Sequence, residues 1–90
     1  MEKTLSQETD PDDVFLKLVA LNPKARKDVV QMYANAFLMY AEASKNIKEN
    51  GAIVYHPRTG APVDNPYLRV QSAQGAILRK IRINTGDLWG

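Results

Sequence analysis

The sequence predicts a mainly α-helical fold: a short N-terminal helix, then a long antiparallel helical hairpin whose two helices are joined by a small β-hairpin elbow. Three observations lead there. Apolar residues recur every three or four positions over 23–50 and again over 66–83, the period of an α-helix. Between these stretches lies a segment, Asn50 to Tyr67, dense in glycine, proline and asparagine. And 90 residues suffice for one domain with a marginal core.

The elbow is the pivot of this prediction. Gly51 can take a left-handed conformation and so closes the preceding helix cheaply. Ile53, Val54 and Tyr55 form a short β-favouring run. Pro57-Arg-Thr-Gly60 makes a tight turn, with proline fixing φ and glycine permitting positive φ. Asp64 or Asn65 then caps the next helix, with Pro66 at its first position.

Residues 1–9 show no apolar periodicity and are expected to be a disordered acidic leader. A helical hairpin domain is expected over 10–83 and a C-terminal tail over 84–90. Asp10-Pro11-Asp12-Asp13 is a helix start, with carboxylates facing the positive end of the helix dipole. Val14, Phe15, Leu16, Leu18, Val19 and Leu21 make that helix apolar on nearly every side, so something larger must cover it. Asn22-Pro23 is expected to end it and to cap the next.

Helix two is predicted over 23–50, a rod of ~42 Å. It carries two adjoining stripes at helical spacing: Val30, Tyr33, Phe37, Tyr40, Ser44 and Ile47 in one; Val29, Met32, Ala36, Met39 and Ala43 in the other. Two seams imply two neighbours. One is the following helix; the other is either the first helix or another subunit. Helix three is predicted from Pro66 to Arg82 or Ile83. Tyr67, Val70, Ala73, Ile77 and Ile81 form its expected inward stripe, interrupted by Gln74, and Gly75 marks a close helix crossing.

The chemistry of most enzymes is missing. There is no cysteine, which excludes disulfides and thiolate metal sites. The single histidine, His56, lies before a proline in a turn, where a hydrogen-bonding surface role is the expectation. No metal-ligand spacing, convergent carboxylate pair or phosphate-binding glycine loop is present. We therefore expect no enzyme, no cofactor, no metal and no small-molecule substrate. No apolar run approaches the roughly 20 residues that cross a bilayer, and no signal peptide opens the chain. A soluble, intracellular protein follows, with no membrane partner.

Formal net charge is +2, too small to announce nucleic acid, but it is unevenly spread. Glu2, Glu8, Asp10, Asp12 and Asp13 oppose Lys3 near the start, leaving a basic body. Three groups are candidates for contact with DNA. Lys24, Arg26 and Lys27 stand at the start of helix two, where positive charge opposes the dipole. Arg58 is at the elbow tip, and Arg79, Lys80 and Arg82 end helix three. The last group reads slightly better as dipole-complementing, solvated charge. With no interleaved aromatics, any contact would be to phosphates and nearly blind to sequence. Val30, Tyr33, Phe37, Tyr40, Met32 and Met39 are candidates for a subunit interface. Trp89 either folds back over the hairpin or anchors another chain.

In order and spacing, a set of short motifs resembles the small subunit of the terminase of tailed phages. They are Tyr40-Ala-Glu-Ala43, Ile47, Glu49-Asn-Gly51, Ile53-Val54, Pro57-Arg-Thr-Gly-Ala61 and above all Asn65-Pro-Tyr-Leu68. The likeness runs from about Asp10 to Arg82. It implies a non-catalytic DNA-packaging protein in the cytoplasm of a bacterial host, encoded by a phage or prophage. Such proteins assemble into homo-oligomeric rings, engage double-stranded viral DNA and regulate the large terminase subunit. Many relatives begin with a basic arm and continue past helix three with a Gly-Leu-Thr-Pro segment and a basic tail. Here the leader is acidic and Ile83-Asn-Thr-Gly-Asp-Leu-Trp89 follows instead. A different class of function is a small helical adaptor that binds protein through the hairpin and Trp89 and never touches DNA. A helix-turn-helix regulator fits less well, because helix two is far longer than a recognition helix needs.

Overall fold

The computed structural model describes residues 11–89, so the acidic leader and a cap at Asp10 lie outside the described residues. Three helices and one two-stranded sheet follow in order: α1 (Pro11–Leu21), α2 (Lys27–Asn50), β1 (Ile53–Tyr55), β2 (Pro62–Asp64) and α3 (Tyr67–Lys80). The predicted hairpin with a β elbow is therefore present. α2 is its central rod, packed on one flank by α3 and on another by α1. Both neighbours that its two apolar seams demand are found within the chain.

The core forms where α1, α2 and the tail meet. Val14 and Leu18 of α1, Val30, Ala34 and Phe37 of α2, and Leu88 are all sealed from solvent. Leu16, on the opposite side of α1, is 62 % exposed, so one face of that helix remains uncovered.

Two boundaries differ from expectation, and the glycine that closes α2 takes an unexpected conformation. α2 begins at Lys27 rather than Pro23, because the Asn22 side chain is used elsewhere. Its Nδ2 donates to the carbonyls of Leu18 (2.9 Å) and Asn84 (2.7 Å), and its Oδ1 accepts the Asn84 N–H at 2.8 Å. Asn22 thus ties the end of α1 to the segment after α3 and does not cap α2. At the far end α3 stops at Lys80, and Ile81 takes an extended conformation (φ −93°, ψ 116°). Gly51 has the expected positive φ of 87°, but its ψ of 167° places it outside the left-handed helical basin. That region is essentially reserved for glycine.

α3 is also rotated relative to its predicted stripe. Gln71 donates to Ser44 Oγ at 3.1 Å, Gly75 faces the Tyr40 ring, and Leu78 and Ile81 pack against the core. Ala73 is exposed. Gly75 does mark a close crossing: a Cβ there would stand 3.3 Å from the Tyr40 ring. The Gln71–Ser44 bond explains the difference, since a polar pair bonded across the crossing satisfies the seam without leaving an apolar signature.

The tail folds back along α2. Leu88 enters the core, and the Trp89 ring meets Phe37 edge-on at 4.7 Å and Tyr40 at 5.7 Å. Its indole N–H donates to Tyr33 Oη at 3.0 Å, and Lys17 pairs with Asp87 at 2.6 Å. Each edge-to-face pair contributes about 0.5–1.5 kcal/mol beyond area burial. Trp89→Ala is expected to lower stability by about 2 kcal/mol once the indole hydrogen bond is included, read as a shifted thermal melt. An unchanged melt would show that the tail is an ornament on the fold.

Candidate nucleic-acid interface

The antiparallel hairpin places the start of α2 and the end of α3 at one end of the molecule, and the Asn22–Asn84 bonds hold them there. Six of the seven basic residues singled out above therefore gather at that end. Lys24 and Arg26 lie in the turn before α2 rather than in its first turn, and Lys27 is the first helical residue. Arg79 and Lys80 occupy the last turn of α3, and Arg82 follows in the extended segment. All six side chains are exposed. Arg58, exposed in the elbow turn, sits at the opposite end, some 24 residues of helix away.

The unpaired side-chain charge at this end is all positive. Its carboxylates are already engaged: Asp28 by Arg26 at 2.7 Å, and Asp87 by Lys17. Asp28 also accepts the Val29 N–H at 2.9 Å, which satisfies one donor of α2's first turn. No side chain caps α2 from Arg26, whose backbone is extended. Among the described residues, none of Lys24, Lys27, Arg79, Lys80 and Arg82 forms an ion pair. Lys24 and Lys27 stand beside the positive start of α2, and Arg79, Lys80 and Arg82 beside the negative end of α3; together these five exposed cations form a surface suited to an extended polyanion.

The elbow is organised by one buried side chain. Asn65, 2 % exposed, donates Nδ2–H to Asn46 Oδ1 and to the Gly51 carbonyl, each at 2.9 Å. Its Oδ1 accepts the Tyr67 N–H at 2.9 Å, and Pro66 in helical geometry opens the first turn of α3. Its backbone N–H reaches the Ala52 carbonyl at 2.8 Å. The Asn-Pro pair expected to cap α3 therefore does so and also clamps the end of α2. The partner Asn46 carries no sequence signal, because only the fold brings it near.

Beyond Asn65, β1 and β2 pair antiparallel with Val54 opposite Val63. The turn closes through His56, whose Nδ1 accepts the Arg58 N–H at 3.2 Å and whose carbonyl accepts from Gly60 at 2.8 Å. That is a turn-stabilising role of the kind expected for this histidine. A shallow cleft of about 270 Å³ beside the elbow is lined by Asp64, Asn65, Pro66, Leu68 and Arg69. Among the described residues no group of His, Asp and Glu side chains could hold a metal ion, and no helix is long and apolar enough to cross a membrane.

The candidate interface residues divide. Val30, Tyr33 and Phe37 are consumed by the chain's own core, and Tyr40 lies between Gly75 and Trp89. Met32 and Met39 are 55 % and 45 % exposed, and Trp89 is half-exposed on its outer side.

Comparison with curated proteins and with solved structures returns no match. A family model described as phage terminase, small subunit, matches residues 13–86, which span most of α1, the hairpin, the elbow and the start of the tail. With that match covering most of its length, the chain belongs to the phage terminase small subunit family.

Proposed function

We propose that the chain is a non-catalytic component of phage DNA packaging: a ring-like homo-oligomer that engages double-stranded viral DNA and regulates the large terminase subunit. Family membership supports the packaging role. The observation that carries the DNA reading is the gathering of Lys24, Lys27, Arg79, Lys80 and Arg82, unpaired among the described residues, at one end of the hairpin. In this reading these cations and Arg26 neutralise phosphates, while Arg58 makes a separate contact or none. Contacts of that kind position a duplex without reading its bases. Because Val30, Tyr33 and Phe37 are internal, the subunit boundary falls to Met32, Met39 and the outer side of Trp89.

Binding to a short duplex, followed by fluorescence anisotropy between 50 and 200 mM salt, tests the reading. Affinity should fall steeply, with a logarithmic slope of about −0.9 per phosphate neutralised. Lys80→Ala/Arg82→Ala should flatten that slope by about 2 and weaken different sequences alike. Absence of binding at every salt concentration would leave the adaptor function in its place.

A further inference from the structure

We infer that a second copy of this chain docks on the uncovered face of the α2–α3 hairpin, with its α3 lying across this chain's α2. This rests on the homo-oligomer proposed above and specifies where its subunits meet. At 100° per residue, Val30, Ala34 and Phe37 of α2 point toward α1 and the tail, and Tyr40 and Ser44 toward α3. Met32 and Met39 come next around the helix, on the flank away from α1, beside the buried Ala36 and Ala43. On α3, Gln71, Gly75 and Leu78 point inward. Because the helices are antiparallel, half-buried Val70 and Ile77 fall on the same open flank as the methionines. The Gly75–Tyr40 and Gln71–Ser44 contacts fix the register and bring Ile77 level with Met39. α1 and the tail cover one side of the hairpin, and this apolar strip is the other.

Charge on the two rims identifies the occupant. Outside the methionines α2 exposes Glu42, and outside Val70 and Ile77 α3 exposes Arg69 and Lys80. None of the three forms an ion pair among the described residues. The face therefore carries both halves of its own complement. Laying α2 in parallel register on a second α2 sets Glu42 against Glu42 and brings no opposite charge to either rim. Laying it antiparallel on a second α3 puts Met39 against Ile77 and leaves Arg69 about five residues, roughly 7.5 Å along the axis, from the level of Glu42, a span the two long side chains can bridge. Each copy offers both rims, so the same contact serves a closed pair or successive neighbours in a ring.

Light scattering on the full chain at about 100 µM tests this, using wild type, Met39→Glu, Glu42→Arg and Glu42→Arg/Arg69→Glu. Wild type should be multimeric and Met39→Glu monomeric, with the thermal melt of the monomer retained because Met39 is already exposed. Glu42→Arg should raise the dissociation constant about tenfold or more, and the double exchange should restore it. A monomeric wild type, a Met39→Glu variant of wild-type mass, or a double variant no better than the single one would each overturn the inference. Duplex binding on the same samples separates it from the DNA reading: assembly through this face without DNA binding sinks only the latter.

Discussion

Phe37→Asp is expected to leave the chain unfolded at 25 °C. Phe37 is fully buried at the centre of α2, between the α1 residues of the core and the Trp89 ring 4.7 Å away. Truncating such a phenylalanine to alanine costs about 3–5 kcal/mol. Aspartate adds an unpaired carboxylate in an apolar site, or the work of protonating it. A domain of this size holds about 5–15 kcal/mol in total, and a marginal core puts this one near the lower end. Far-ultraviolet circular dichroism and a denaturant titration would measure the loss. A cooperative melt within a few degrees of wild type would show that the helices do not meet at Phe37. Because this side chain serves the internal core, the expected failure is folding itself, with any loss of assembly secondary to it.

Asn65 offers the second large effect, and a cleaner diagnosis. Asn65→Ala removes the cap on Tyr67, about 1 kcal/mol. It also strands the Asn46 amide oxygen of its partner in a half-buried site, together with one bond to Gly51. A total of about 2–4 kcal/mol is expected, or a drop in Tm on the order of 10–20 °C. Asn65→Asp discriminates between two roles. Aspartate caps helices as well as asparagine does, so a cap alone would survive the change. It cannot donate to Asn46 or Gly51, and it sets a carboxylate against two acceptors. If Asn65→Asp melted like wild type, the clamp between the helices would be refuted.

These two residues mark what a sequence shows and what it hides. Phe37 was legible because helical periodicity puts it on an apolar stripe, and Asn65-Pro66 because capping chemistry is local. The partners were not legible. The Asn46 side chain meets Asn65 across 19 residues, and the Asn22 side chain meets the Asn84 backbone across 62, and both Asn46 and Asn22 look like ordinary surface or capping asparagines. The premature start assigned to α2 has the same origin: Asn22 before Pro23 is a good cap in isolation, and a tertiary bond outcompetes it. On α3 the interfacial Gln71 displaced the apparent stripe toward Ala73, which faces solvent. The basic residues were visible as separate groups in the chain. Their collection at one end, with Arg58 left at the other, is a product of the antiparallel turn.

The return of the tail has a consequence for how the molecule comes into being. Leu88 finishes a hydrophobic centre begun by Val14 and Leu18, and Trp89 reaches back 56 positions to Tyr33. Pairing of α2 with α3 closes a loop of modest length, whereas these contacts close much longer ones and carry a larger entropic toll. On a ribosome the two-helix unit can associate as soon as α3 clears the exit tunnel. The aromatic floor of Tyr33, Phe37 and Tyr40 stays open to water until residue 89 has emerged, so the nascent chain passes through a window in which it is sticky.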